Sequence, residues 1–339
     1  MRTEASASTD AGMAREPRRG FTLTELLVAI PIIIIVGLVA VTLMYNYTML
    51  FIANKDKVAA ARRAQEAILI VENTMKHAGL GFPSAGETSY KTAWNRSGSA
   101  TVPWPATWGD VIVLSGDEIG DKGRESREIG FVYAASTRGK LKAPTAISDG
   151  NFNIELLDVP GLDFALPTGV TNREADMRFW YTAPASLGDF PFVATDYDAT
   201  NRRLTAHVPG AFAGSPTLPV HQDVYKLKAA WVYVDEGHNL RFLDLTDHER
   251  SADVQIASKA GPASMSVEGI RAVRFYLTED RKHIEFCVLA MGDSRDAPHA
   301  RSIVGRLRDQ WDELTDDDEG LYMEEFTAKW RLRNLEERS

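Results

Sequence analysis

Seven histidines, one cysteine and a run of carboxylates are the side chains of this sequence best suited to chemistry. The histidines are His77, His207, His221, His238, His248, His283 and His299. None forms HExxH and no pair sits at zinc-finger spacing, so they read as ordinary surface or loop residues. Cys287 stands alone, which rules out an internal disulfide and any zinc site needing two cysteines. Its apolar neighbours mark it as a core thiol sooner than as a nucleophile. The run Asp316-Asp317-Asp318-Glu319-Gly320 offers the oxygen ligands that calcium takes. The EF-hand spacing is absent, however, and adjacent acids more often form a solvated turn. Gly116-Asp117-Glu118-Ile119-Gly120-Asp121-Lys122-Gly123 has the glycines of a phosphate loop without its Lys-Ser/Thr ending, and reads as a turn. There is no GxSxG elbow and no GxGxxG after a strand. These residues predict no catalytic group, no metal and no cofactor, hence a protein that is not an enzyme.

The frame that would position such residues is ordinary in composition. The chain has 339 residues, 44% of them hydrophobic and 25% charged, near globular averages. Collagen-like, disordered and polytopic membrane classes are excluded. A net charge of −9 argues against the broadly basic surface of a nucleic-acid binder, so no direct nucleic-acid partner is expected.

One segment departs from that average. No charged residue occurs from Leu26 to Asn54, and Leu26–Val41 reads LLVAIPIIIIVGLVAV. About 20 apolar residues span the ~30 Å hydrocarbon core of a bilayer. A single-pass transmembrane helix is expected here, with no second candidate in the chain. Pro31 and Gly37 are tolerated in such a helix, and a kink is expected near Pro31. A cleaved secretory signal is the alternative, but the run is long and ends in Thr42-Leu43-Met44-Tyr45-Asn46-Tyr47, without an A-x-A-like site. Basic residues flank both sides: Arg15, Arg18 and Arg19 before, Lys55, Lys57, Arg62 and Arg63 after. Charge therefore leaves the orientation open.

Immediately before the run stands Arg18-Arg19-Gly20-Phe21-Thr22-Leu23-Thr24-Glu25-Leu26-Leu27-Val28-Ala29-Ile30. A carboxylate at a helix entrance can simply cap the dipole, and Glu25 fits that role. The whole string also resembles the type IV prepilin signal, a basic leader ending in glycine and cut before phenylalanine. Membership of the type IV pilin superfamily implies cleavage between Gly20 and Phe21 by a prepilin peptidase on the cytoplasmic side. It implies N-methylation of the new Phe21 amine. It makes Glu25 the fifth mature residue, where the family carries glutamate. In an apolar helical bundle an unpaired ammonium is costly, and Glu25 would neutralise the Phe21 amine of a neighbour or of its own chain. Two departures stand out: the leader is long when counted from Met1, and would read MAREPRRG from Met13, while Pro31 comes earlier than the family's usual proline.

Beyond the apolar run, Ala61, Ala64, Ile68, Val71, Met75 and Ala78 recur at steps of three and four, one face of an amphipathic helix. Gly79, Gly81 and Pro83 end it. One helix is thus predicted from about Thr22 to Ala78. The remainder is strand-rich, with candidates at Val111–Leu114, Ile129–Ala134, Phe152–Leu157, Met177–Thr182, Leu204–Val208, Tyr225–Val234, Leu240–Asp244, Ile270–Leu277 and Ile284–Met291. Thr88–Ala106 reads as loop, Ser302–Leu314 as helix, Asp316–Glu319 as an acidic turn and Phe326–Leu335 as a last strand. Hairpins are expected around Asp235–Asn239 and Thr278–Lys282. The fold class is therefore α+β, a long N-terminal helix packed on a large antiparallel β-sheet head. Its parts are a leader (1–20), a transmembrane or filament-core helix (21–52), an amphipathic continuation (53–82) and an extracytoplasmic head (83–339).

Val267-Glu268-Gly269-Ile270 with Val273-Arg274-Phe275-Tyr276, the helix end Met75-Lys76-His77-Ala78-Gly79 and the terminal Phe326–Leu335 resemble the large minor pilins often called PilW. The J-type minor pseudopilins of type II secretion share this layout. The resemblance implies a low-copy subunit of a pilus tip or priming complex, held in the inner membrane before assembly and then at the cell surface. Partners implied are the prepilin peptidase, other minor and major pilins and the inner-membrane assembly platform. A membrane-anchored extracytoplasmic enzyme is the rival of another class.

Overall fold

The structure is a computed structural model. It describes residues 22–80, 112–114, 118–120 and 123–332, apart from 149, 161, 163, 165, 172, 174–175, 184–190, 209–216, 245, 247–264, 279–281 and 296–299. The leader (1–20), Phe21 and the expected Thr88–Ala106 loop lie outside the described residues. Two units make up the chain, residues 1–52 and 53–339.

Helix α1 runs from Leu23 to Met75, and neither Pro31 nor Asn46 nor Asn54 ends it. Its residues in the first unit are exposed on almost every side, from Leu23 at 81% to Phe51 at 72%. That stretch is long and apolar enough to cross a membrane. In the second unit α1 buries Asp56, Ala60, Ala64, Ala67, Val71 and Met75, a stripe at steps of four, four, three, four and four. This corrects the expected face by one residue at two positions. Ala60 and Ala67 are buried, while Ala61 and Ile68 lie only at its margin. Small side chains let the helix approach the sheet closely. Val71 and Met75 then add about 1.5–3 kcal/mol each by burial. The helix ends at Met75, three residues before the expected Ala78; beyond a turn and the Ala78–Tyr133 bridge, Gly79 takes the left-handed conformation at φ 73 and its N–H donates to the Val132 carbonyl at 3.0 Å.

The head is antiparallel throughout. One nine-stranded sheet has the order β1 (Ile112–Leu114), β4 (Ile129–Lys140), β11 (Asp223–Val234), β7 (Trp180–Thr182), β8 (Pro191–Asp198), β9 (Arg203–His207) and β6 (Asn151–Glu155). Strand β12 (Asn239–Asp244) also pairs with β11, and β13 (Met265–Glu268) with β12. A five-stranded sheet runs β16 (Leu321–Arg331), β15 (His283–Arg295), β14 (Ile270–Leu277), β3 (Gly123–Ser126) and β2 (Glu118–Gly120). The short pair β5 (Thr145–Ala146) and β10 (Thr217–Leu218) completes the set. Both expected hairpins form, with Val234 opposite Leu240 and Leu277 opposite Ile284.

Several boundaries differ from the sequence reading. Met177–Phe179 is a 3-10 turn, and the strand begins only at Trp180. Helix α2 is short, Ala300–Leu307. Strand β16 begins at Leu321, five residues earlier than expected, because Glu324, Glu325 and Met323 pair with Ala290, Leu289 and Met291. Strands β8 and β13 were not expected at all. The main core lies between α1 and the two sheets, around Phe131, Phe242, Phe275 and Phe286. A second core gathers Phe152, Phe164, Tyr181, Phe192 and Leu204 under β4, β6, β8 and β9. A third lies beneath α2, around Val304, Trp311 and Met323.

Candidate functional site

The helix start is the first place where the expected residues can be inspected. Thr22-Leu23-Thr24-Glu25 has the T-x-x-E spacing of a capping box, and it folds as one. Glu25 Oε2 accepts the Thr22 N–H at 3.0 Å and the Thr22 hydroxyl at 2.9 Å. In return the Thr22 hydroxyl oxygen accepts the Glu25 N–H at 3.3 Å. Glu25 is thus positioned by its own helix entrance and remains exposed. Gly20 and Phe21, the expected cleavage pair, lie outside the described residues.

A second cluster was not anticipated. About two and a half turns of α1 after Tyr47, the helix meets the irregular end of β15. Asp56 is fully buried there, and its Oδ1 accepts the N–H groups of Asp293 and Ser294, both at 3.0 Å. Arg63, two turns on, donates to the Met291 carbonyl at 2.7 Å and to Asp293 Oδ1 at 2.6 Å. Lys55 stands 3.7 Å from Asp293. Two glycines make the room. A Cβ at Gly292 would lie 2.7 Å from the Asp56 Cβ, and one at Gly269 (φ +75) would lie 2.7 Å from the Arg63 Nε. The Asp56 Oδ2 has no hydrogen-bond partner. Nearby, burial first and then the charges of Glu324 and Asp56 push the Tyr322 hydroxyl up to about 12. This clip is where polar groups, as well as apolar packing, hold α1 to the head. The sequence did not single out Asp56, because it is in phase with the buried Ala60–Ala67 face and not with the Ala61–Ile68 face that the spacing suggests.

Three of the four acids of the acidic run are held in ion pairs. Asp316–Asp318 forms a 3-10 turn after α2. Asp318, buried, takes Arg271 through two bonds of 2.9 and 3.0 Å and accepts the Thr315 N–H at 2.8 Å. Burial opposes the Asp318 charge, yet Arg271 and Thr315 outweigh it and hold the carboxyl below the usual range. Asp316 pairs with Arg308 at 2.8 Å, and Glu319 stands 3.7 Å from the same guanidinium. No group of three acidic, histidine or cysteine side chains is placed to hold a metal among the described residues.

The neighbouring Arg274 staples the same segment. It lies 4.8 Å over the Trp311 ring and pairs with Glu125, Asp312 and Glu313 at 3.2, 2.5 and 3.0 Å. Burial works against its charge, but Glu313, Tyr276 and Glu125 raise its pKa beyond the ordinary arginine value. The arrangement fastens 311–319 to the five-stranded sheet.

Cys287 is buried mid-strand in β15, its Sγ 3.5 Å from the Thr327 hydroxyl. His77 lies against Tyr225, with ring centroids 6.4 Å apart. At the β11–β12 tip, burial and Arg271 lower the pKa of His238. His248 and His299 lie outside the described residues. The described histidines are scattered over separate places: the turn after α1, β9, the turn before β11, the β11–β12 tip and β15. No family model, curated protein or solved structure matches this chain.

Proposed function

We propose that the chain is a minor subunit of a type IV pilus, assembled at low copy at the tip or in the priming complex. One observation carries this reading more than any other. A single helix combines an unburied apolar stretch, Leu23–Ile52, with a head-bound stretch, Ala53–Met75, and it opens on a Thr22–Glu25 box directly after the Gly20-Phe21 pair. A secretory signal needs no head-bound continuation, and a plain anchor needs no carboxylate at its threshold.

On this reading the prepilin peptidase cuts between Gly20 and Phe21, and the Phe21 amine is methylated. Glu25 then exchanges its Thr22 contacts for the Phe21 amine of a neighbouring subunit. The capping box keeps the carboxylate oriented and satisfied until that exchange. The chain is held in the inner membrane by α1, with its head extracytoplasmic, until other pilins and the assembly platform draw it into the filament. A head of this size suits a terminal position better than a repeated one. No catalysis is assigned to it.

The mature N-terminus tests the reading directly. Intact mass and terminal peptide sequencing of protein from its native host should find a chain beginning at N-methylated Phe21. A chain retaining the leader, or cut beyond Tyr45, would overturn the proposal and favour an anchored or secreted enzyme.

A further inference from the structure

Past Thr137 the inner residues of β4 and β6 cover the second core, and the alternate residues of this stretch are exposed and largely charged or polar. Beyond the Ala78–Tyr133 bridge at the end of α1, β4 continues to Lys140 and its alternation carries on to Lys142. Thr137, Gly139 and Leu141 turn inward, while Arg138, Lys140 and Lys142 are exposed. At about 3.3 Å per residue, Lys140 and Lys142 stand roughly 6–7 Å apart. Leu141 bridges Leu156, which puts Lys142 opposite Glu155 at the end of β6. Asn153 follows on the same face, and the Thr205 hydroxyl of β9 donates to its Oδ1 at 3.1 Å.

The backbone beneath these cations is unusual. Arg138, Arg202 and His221 all adopt positive φ, at 61°, 51° and 63°. They belong to one rim: the Leu156 N–H donates to the Arg202 carbonyl, and the His221 N–H to the Leu141 carbonyl. At Arg138 the conformation is built in. The buried Thr137 hydroxyl donates to the Val224 carbonyl at 2.5 Å and accepts the Gly139 N–H at 3.1 Å, which ejects Arg138 from the ladder. Glycine or asparagine would occupy such positions at lower cost. Strain retained at the exposed Arg138 points to a use for that side chain.

Three acids of the rim face cations. Asp223 faces Lys140 at 3.6 Å, Asp158 faces Arg202 at 2.7 Å and Glu155 faces Arg203 at 3.7 Å. Arg138 and Lys142 make no ion pair among the described residues. No tyrosine, tryptophan or phenylalanine of the described head is exposed, so none of these described residues offers the stacking platform that holds a single nucleic-acid strand. Amide and hydroxyl groups stand beside the cations instead, and these suit sugar hydroxyls.

We propose that this face binds a linear acidic polysaccharide. Arg138, Lys140 and Lys142 take successive carboxylates, and Asn153 with Thr205 takes ring hydroxyls. The site is independent of the pilus reading, since it uses no residue of α1.

Full-length protein in detergent micelles, titrated by biolayer interferometry against alginate, neutral dextran and poly(dT), tests this. Alginate should bind, weakening steeply with salt, and dextran should not. The double substitution Arg138→Asn with Lys142→Gln should lower alginate affinity about tenfold or more, the loss expected for two charge-assisted contacts. Asparagine accepts the left-handed backbone, so the melting temperature should hold. Lys57→Gln, on α1, should leave binding unchanged. Alginate binding no tighter than dextran would overturn the proposal. So would an unaffected double variant, an equal loss from Lys57→Gln, or poly(dT) binding as tightly as alginate.

Discussion

The two stretches of α1 share one helix and differ in both composition and burial: Leu26–Ile52 carries no charged side chain, whereas Ala53–Met75 carries seven. Leu23–Ile52 exposes nearly every apolar side chain, whereas Ala53–Met75 hides six positions, five of them apolar and one a carboxylate. The first stretch is specified by composition: any apolar residue in any order would serve a bilayer. The second is specified by position, because each buried residue meets a particular partner on the sheets. Composition tolerates change, and position does not.

That contrast can be broken most sharply with paired substitutions of one residue type. Met75→Ala removes a side chain that is 1% exposed and should destabilise the head by about 2–5 kcal/mol, through lost burial and the cavity left behind. Met44→Ala, at 73% exposure, should move the same melting transition in detergent by less than about 0.5 kcal/mol. Near-UV circular dichroism during heating reads both, and equal shifts would erase the distinction.

Glycine gives the next largest effect. At Gly292 a methyl group would press on Asp56, so Gly292→Ala should cost about 1–3 kcal/mol. Gly37 has nothing within 4 Å, and Gly37→Ala should be neutral or raise helicity by up to about 1 kcal/mol. Denaturant midpoints of the two variants should move in opposite directions or differ by that margin.

The smallest effect belongs to the helix entrance. Thr22→Ala deletes the reciprocal cap and should fray the first turn by about 0.5–2 kcal/mol while leaving the head's melting temperature untouched. Amide exchange at residues 24–27 would show it. Protection that stays unchanged there would mean Glu25 is oriented by something other than Thr22.

Legibility in the sequence followed the range of the interaction involved. The Thr22–Glu25 box was readable because its partners are three residues apart. The phase of the buried stripe was not. Ala59, Ala60, Ala61, Ala64 and Ala67 offer a helix several equally small faces. The choice among them falls to Asp56, drawn to the Asp293 and Ser294 N–H groups, and to Arg63 over Gly269. Strand β8, PFVATDYD, opens on proline and closes on acids, so its local pattern is weak; pairing with β7 and β9 makes it a strand. The polar Ser136–Lys140 reads as the end of β4 until β11 carries it onward across a bulge.

By itself, then, the sequence determined what depends on local composition and short spacing: one apolar helix with a capped start, its amphipathic continuation, an antiparallel β-rich head and the lack of any recognisable catalytic or zinc motif. The tertiary structure alone decided which helix face is buried, that Asp318 serves Arg271, and that Arg138, Lys140 and Lys142 share a rim with Arg202 and His221. The physical reason is the same in each case. These outcomes rest on partners tens to hundreds of residues away, and no window along the chain contains both sides of such a contact.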